Sequence, residues 1–384
     1  MNSKQTMVRE MKLFEFYKQR IWPFQRVLVR RYLTPRCEKC FLPETYSPLI
    51  HGICGHCRTH EPKRNTLTHK EQDRMQDEFD FLIRTAMGSG NRRYHVLVLF
   101  SGGKDSSYLL HHMAERYKGI RILALTVDNT FMSPIAMENV NAIIKKLGID
   151  HTIVRPCAGT MEKMFRYAFT HLNEHGCAGT VDQFDGDFFS DVARNIAAQM
   201  DIPYVLCGLS RDQVAHVLGL DTFITSRQAE AKKRETVAGI RLADIFDAHE
   251  LRHWWNGPAW PLEKRPQMLF PFYIWNLSES FIKNQVLTLN LMPRGDESPL
   301  VTNNSLVPLM GVVDMIRLGY SSFEPEFARM VREGKTNRKE WLYTFETLEY
   351  AARTGRLLGK SIDGVLKRLS LTRTDLGIKG GNND

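Results

Sequence analysis

Two groups of side chains in this 384-residue chain have the types and spacing to do chemistry. The first is Ser101-Gly102-Gly103-Lys104-Asp105-Ser106-Ser107, which follows the apolar run His95 to Phe100. Paired glycines admit positive φ and close approach to the main chain, so successive amide hydrogens can converge on an anion where a helix begins. That is a phosphate cradle; the plainer reading is a strand-to-helix turn with a serine and aspartate cap. The second group is Cys37-Glu38-Lys39-Cys40 and Cys54-Gly55-His56-Cys57, two Cys-x2-Cys knuckles separated by thirteen residues. Each knuckle turns two thiolates toward one point, and four thiolates make a tetrahedron suited to Zn²⁺. A shell of four sulfurs has no open position, so this site is structural and stabilises a segment too short for a core of its own. An iron-sulfur cluster is the rival on ligand type. His51, His56 and His60 are bystanders to a complete shell.

Both groups need a framework. With 52 Lys and Arg against 43 Asp and Glu, a net charge of +9, and 43% hydrophobic residues, the chain is not disordered over most of its length and has about two or three domains. It has no uncharged apolar run of the roughly 18 residues that span a bilayer. Met1-Asn2-Ser3-Lys4 lacks a secretory apolar core, which predicts a cytoplasmic protein. An odd total of seven cysteines argues for reduced thiols. From His95 the pattern alternates short apolar runs (His95 to Phe100, Ile120 to Val127, His151 to Val154, Pro203 to Cys207) with amphipathic stretches. Those stretches are Asp105 to Tyr117, Ser133 or Pro134 to Leu147, Met161 to Leu172 and Phe188 to Met200. Such alternation predicts a mainly parallel α/β sheet covered on both faces. Beyond about residue 215 the strand signal fades, and helices are expected at Asp244 to Trp255, Pro271 to Lys283, Leu306 to Leu318, Arg338 to Arg353 and Ser361 to Leu369.

The glycine turn lacks the four residues that separate the first Gly from Gly-Lys in the nucleotide-binding P-loop, and it is not the GxGxxG dinucleotide turn. It resembles instead the SGGxDS loop of the PP-loop ATP pyrophosphatase superfamily. That resemblance implies a doubly wound, adenine nucleotide α-hydrolase-like sheet and cleavage of ATP between its α and β phosphates, with adenylation of a substrate oxygen. It implies that Ser101, Gly102, Gly103, Ser106 and Ser107 hold the β and γ phosphates, that Lys104 neutralises charge, and that Asp105 caps the helix or orients Mg²⁺. The resemblance further implies that Asp128, after the second strand, meets the nucleoside or a metal, and that Gly208, Arg211 and Asp212, after the fourth, lie near ATP; taken alone, each acid reads as an ordinary loop acid. Gln213 stands where related tRNA-modifying members place a second acid.

The cysteine cluster with Cys-x-x-Cys-Phe-Leu-Pro-Glu-Thr, followed by this loop, is similar to the N-acetyl sugar amidotransferase family of bacterial surface-polysaccharide synthesis. The likeness continues through Thr126 to Asn129, Asn139 to His151, Leu318-Gly319-Tyr320 and Arg332 to Glu340, covering most of residues 37 to 350. It implies a nucleotide-linked N-acetyl sugar as acceptor, activated by ATP and attacked by ammonia from separate glutaminase and cyclase-type partners. Departures bear on the acceptor: Cys177 is followed by Asp182, Asp185, Gly186 and Asp187 where the family has Cys-x-x-Cys, and Thr302-Asn303-Asn304 replaces a Thr-polar-Cys pattern. The organisation expected is a basic amphipathic arm (1–36), a zinc module (37–62), a linker helix (63–94), an ATP-binding domain (95–250) and a mainly helical substrate or interaction region (251–384).

Other readings stay open. A tRNA thiolation enzyme of the same superfamily would use Cys157, Cys177 or Cys207, and a zinc-containing nucleic-acid-binding module would use the cysteines and the arm. The arm carries nine basic and two acidic side chains, and it either packs through Leu13, Phe14, Phe16, Tyr17, Ile21, Trp22 and Phe24, grips polyphosphate or nucleic acid, or lies on a membrane surface. Trp254, Trp255 and Trp260, with Tyr273 and Trp275, are either interface core or a stacking platform. Arg211, Arg294 and Arg317 are possible anchors for a substrate phosphate.

Overall fold

Five parallel strands hold the glycine turn. The computed structural model describes residues 3–59, 67–297 and 304–378. Strands β1 (Val96–Leu99), β2 (Ile122–Val127), β3 (Asp150–Val154), β4 (Tyr204–Leu206) and β5 (Gln267–Leu269) lie in the order β3-β2-β1-β4-β5. Leu97 of β1 pairs with Leu123 on one side and Val205 on the other. β1 and β2 are buried along nearly their whole length, which is why they read as unbroken apolar runs. The chain winds outward from β1 through β2 to β3, then returns to β4 on the other flank of β1. In open parallel sheets such a reversal is where a crevice forms beyond the carboxyl ends of the flanking strands, and residues 101–107 follow β1 at this point.

The crossover helices are Lys104–Arg116, Pro134–Leu147, Ala158–Thr170 and Gln183–Gln199, each overlapping its expected stretch. Residues Asn65–Met161 and Gln183–Thr302 form one compact unit around the sheet. Its first helix, His69–Gly88, begins at a reciprocal cap between Thr68 and Glu71.

Three expectations for this unit give way. Asp244 to Trp255 is not a helix: it holds short 3₁₀ turns, including Glu250–His253, before Trp254 and Trp255 turn inward. Tertiary contacts override the helical spacing, because the Asp191 carboxylate accepts the Trp255 amide at 3.1 Å and the Glu230 carbonyl accepts its indole N–H at 3.0 Å. Both tryptophans are core, not an open stacking platform. Pro271 to Lys283 breaks at Asn276, whose φ is +46°, into Pro271–Trp275 and Glu279–Thr288, the latter capped by Ser278. Strand signal also persists past residue 215. β5 is three residues long, too short for its period to show, and Thr236–Val237 pairs with Ile240–Arg241 as a hairpin.

The second unit comprises Met1–Arg64, Glu162–Asp182 and Asn303–Asp384. Its arm runs as helix Ser3–Phe16, a widened π turn Tyr17–Ile21 and helix Trp22–Val29. Pro23 explains the widened turn, because it brings no amide to the carbonyl four residues earlier. Met7, Met11, Phe14 and Trp22 are buried, and the Glu346 carboxylate binds the Trp22 indole N–H at 3.1 Å and Arg26 at 2.9 Å. Packing of the arm is one-sided, since Leu13, Phe16, Ile21 and Phe24 stand exposed. Helices Val307–Arg317, Arg338–Thr354 and Gly359–Leu369 match expectation, and Glu324–Arg332 adds one the apolar periodicity did not announce. No helix among the described residues is long and apolar enough to cross a membrane. His60, the linker 61–65, Thr302-Asn303 and the tail 379–384 lie outside the described residues.

Buried charge ties this unit together. The Arg36 guanidinium sits between Glu324 and Glu349, the latter at 3.2 Å, with all three side chains within 4% of full burial. Replacing Arg36 with Met leaves two carboxylates beside an apolar group. Removing one partner of such a buried set costs about 3–5 kcal/mol, so urea denaturation of Arg36→Met should show a midpoint far below that of the parent. An unchanged midpoint would mean the pairing contributes nothing.

Candidate functional site

The turn after β1 is shaped by one residue. Gly102 has φ of +75°, and a Cβ there would lie 2.3 Å from the Ala136 carbonyl oxygen and 2.9 Å from Val140 Cγ2. Only glycine lets the loop press this closely on helix Pro134–Leu147. Asn139, from that helix, donates its side-chain amide to the Gly102 carbonyl at 3.2 Å. The serines brace the loop from within. The Ser101 amide donates to Ser106 Oγ at 3.2 Å, and Ser107 Oγ donates to the Gly103 carbonyl at 2.7 Å.

Gly103 is the N-cap of helix Lys104–Arg116 and has no side chain with which to cap that end. Asp105 therefore does not take the capping role that was one of its two expected parts. First-turn amide hydrogens of an uncapped helix end, with the macrodipole behind them, favour an anion.

Lys104 is largely buried, and its ammonium lies 2.8 Å from the Asp105 carboxylate and 3.7 Å from Glu279. Burial pulls the ammonium's pKa down, but the charges of Asp105 and Glu279 outweigh it and the net shift is upward. Lys104 is thus charged throughout the neutral range. Because the folded value exceeds the unfolded one, its contribution to stability is complete below the ordinary lysine pKa and is lost only as pH rises through the raised value.

Glu279 carries no local signal that ties it to the glycine turn. Ser278-Glu279 is a readable helix start, but nothing in the chain order says that this helix packs beside Lys104.

β2 and β4 flank β1 in parallel, so the residues that follow them leave the sheet at the same edge as residues 101–107. Gly208, after β4, is the nearest: a Cβ on it would be 3.6 Å from the Asp105 carbonyl carbon and the Ser106 amide nitrogen. Asp128, after β2, is buried, with one oxygen accepting the Thr130 amide at 2.8 Å and the other bound to Arg155 at 2.6 Å. Beside it, Asn129 donates to Asp185 at 2.8 Å, so an acid noted only as a departure from the family pattern stands at the same strand end. Arg211 and Asp212 lie in the first turn of helix Arg211–Leu218, with the Arg211 guanidinium 5.1 Å from the Tyr273 ring centroid. Gln213 has a structural task here: its side chain and Ser210 cap that helix reciprocally.

On helix Gln183–Gln199, Asp191 pairs with Arg234 and Arg194 at 2.9 and 3.0 Å, and Arg234 also reaches Asp187 at 3.3 Å. Burial, then the neighbouring Asp191, raises the Asp187 pKa. Cys207 follows β4, and burial pushes its thiol up to about 11.

In the other unit, Cys37, Cys40, Cys54 and Cys57 bring their sulfurs within 4.8 Å of one another. Cys40 and Cys54 sulfurs are 3.5 Å apart, and the Cys54 amide points at Cys37 Sγ at 3.4 Å. All four are buried among Phe41, Leu42, Trp341 and Phe345. This is a centre able to hold a metal ion. Arg338 reaches in to the Cys37 carbonyl at 2.9 Å.

No family model matches the chain. It is similar to an uncharacterised protein of Methanocaldococcus jannaschii, 32% identical over 82 residues; the match spans 21% of this chain and 29% of that protein's length. Among solved structures it is similar to the U34-tRNA thiolase NcsA of Methanococcus maripaludis with its [4Fe-4S] cluster. That match has 15% identity, 92% coverage of this chain, 94% of the other and a TM-score of 0.36. It is also similar to NMN synthetase of Francisella tularensis (12% identity, 83% and 100% coverage, TM-score 0.36). The NH3-dependent NAD synthetase of Campylobacter jejuni gives 11% identity, 73% and 96% coverage and a TM-score of 0.34. At these identities and TM-scores the likeness carries no activity across to this chain.

Gly102→Ala should destabilise the sheet-bearing unit. A left-handed backbone costs a non-glycine residue roughly 1–2 kcal/mol before any clash, and the 2.3 Å approach adds to it. Denaturant unfolding monitored by tryptophan fluorescence checks this, and a midpoint equal to the parent's would contradict the close-approach argument.

Proposed function

We propose that the chain is an AMP-forming ATP pyrophosphatase of the PP-loop type that activates an amide or carbonyl oxygen for replacement by ammonia. The observation that carries this reading is the Gly102 turn at the strand-order reversal, uncapped by side chains and followed at once by a buried, charged lysine.

In this reading the main chain of residues 101–103 and the hydroxyls of Ser106 and Ser107 receive the β and γ phosphates. Lys104 meets the charge that develops on departing pyrophosphate, where a preformed donor lowers the barrier most. Glu279 and Asp105 keep that ammonium charged and aimed. Asp105 is the carboxylate with exposed surface for Mg²⁺, which when bound would neutralise phosphate charge. Asp128, with Arg155, and Asp212, Arg211 and Gly208 form the nucleoside side of the crevice. The substrate oxygen bonds to the α phosphorus as pyrophosphate leaves; ammonia then adds to the activated carbon, and AMP departs with the oxygen.

The finer reading is an N-acetylated nucleotide sugar as acceptor, giving an acetamidine, with ammonia supplied by separate glutaminase and cyclase-type proteins. Its support is the sequence resemblance over residues 37 to 350. Against the thiolation alternative stands Cys207, the cysteine at this strand end, whose thiol keeps its proton at neutral pH. For the cysteine centre we favour a structural Zn²⁺. Sulfurs around one zinc at about 2.3 Å lie roughly 3.8 Å from each other, close to the spacing of this cluster.

Incubation with labelled ATP, ammonium and an N-acetylated nucleotide sugar should yield AMP and pyrophosphate; ADP and phosphate would contradict the proposal. Lys104→Ala and Asp105→Ala should each lower AMP formation about 100-fold or more while circular dichroism and metal content stay at parent levels. Glu279→Gln removes one of the two charges that raise the Lys104 pKa, so the alkaline limb of the rate profile should move to lower pH, and an unmoved limb would separate Glu279 from Lys104. Elemental analysis should find one zinc per chain, and a strong chelator should lower the thermal midpoint.

A further inference from the structure

One surface takes no part in this chemistry. Along helix Trp22–Val29 the inward face carries Trp22 and Arg26, both bound to Glu346. Its outward face carries Phe24, Val27 and Leu28, exposed at 79%, 79% and 75%. Their spacing of three and four residues makes one stripe, and Leu13 and Phe16 are exposed on the helix before it. Isolated exposed leucines are ordinary; a run of large apolar side chains on a single helix face marks contact with something apolar.

The charges say what that something is. Lys12, Arg20, Arg30 and Arg31 are exposed, and none has a carboxylate partner among the described residues. Arg20 and Arg31 lie one turn before Phe24 and one turn after Val27, at the two ends of the apolar stripe. The arm's own acids are engaged elsewhere, Glu10 with the Ser361 amide at 2.7 Å and Glu15 with Lys18 at 2.8 Å. A second copy pairing through this face would set cations against cations with no acid between them.

We propose that this face seats on an anionic lipid surface, with Phe24, Val27 and Leu28 entering the headgroup boundary and Arg20, Arg30 and Arg31 reaching phosphate groups. Apolar insertion and basic attraction together are what hold an in-plane amphipathic helix, neither being sufficient alone. Arginine suits the edge of such a stripe because its stem lies on apolar surface while its head stays wet.

The test uses the full chain and sedimentation with phosphatidylcholine vesicles, with and without phosphatidylglycerol. Binding is expected only to the phosphatidylglycerol vesicles and should weaken with added salt. At roughly fivefold per cation near an anionic surface, Arg20→Gln/Arg30→Gln/Arg31→Gln should lose about 100-fold in partitioning, and Phe24→Ser/Val27→Ser/Leu28→Ser should also release the chain. Circular dichroism and metal content, unchanged in both, certify folding; these positions are exposed and outside the proposed site. Parent protein that ignores anionic vesicles, or variants that bind as well as the parent, overturn the proposal. A concentration-dependent dimer that the serine variant disperses, without vesicle binding, reassigns the face to a second copy.

Discussion

The sheet-bearing unit is organised around a backbone contact that tolerates no side chain: Gly102 in a left-handed conformation against the Ala136 carbonyl. Because β1 is central, flanked by β2 and β4, the turn that leaves it must bend away from the sheet and enter a helix within a few residues. Glycine permits the bend and the close helix beside it. The same geometry leaves amide hydrogens at a helix start whose N-cap glycine has no side chain, the arrangement that favours an anion in general, so one steric condition sets both the packing and the placement of these donors.

Charge is handled differently in the two units. Around the loop, Lys104 is held between two carboxylates that keep its ammonium charged, and Arg155 fixes the orientation of Asp128 after β2. In the other unit, Arg36 with Glu324 and Glu349 is sealed from solvent. Sealed ion pairs contribute little net stability but penalise any arrangement that separates them, so they specify how the arm meets helix Arg338–Thr354 more than they strengthen it.

The cysteine centre has an apolar jacket of Phe41, Leu42, Trp341 and Phe345 rather than a catalytic opening. Four sulfurs in such a setting fit a clamp for a short segment whose own core is small. The arm that precedes it divides its apolar residues between two faces, and only the face bearing Trp22 is satisfied by the chain itself. The other leaves Phe24, Val27 and Leu28 exposed.

How much could be read in advance follows from the range of the forces involved. The glycine turn, the two cysteine knuckles, four of the five sheet strands and the helix over Arg338–Thr354 are written locally, in short-range steric rules and unbroken or periodic apolar patterns. β5 was not legible because three residues carry no period, and its place beside β4 is a matter of hydrogen bonding between distant segments. The tryptophans near residue 255 have helical spacing, yet buried carboxylate and carbonyl acceptors from elsewhere in the chain fix them in a non-helical segment. Glu279 joins Lys104, Asn139 braces Gly102 and Gln213 caps a helix only because the folded chain sets those groups within a few ångströms. Local patterning along the chain fixes the glycine turn and the paired cysteines; the charges and amides that orient them come only with folding, since electrostatic and hydrogen-bond partners are set by distance in space and not by separation along the chain.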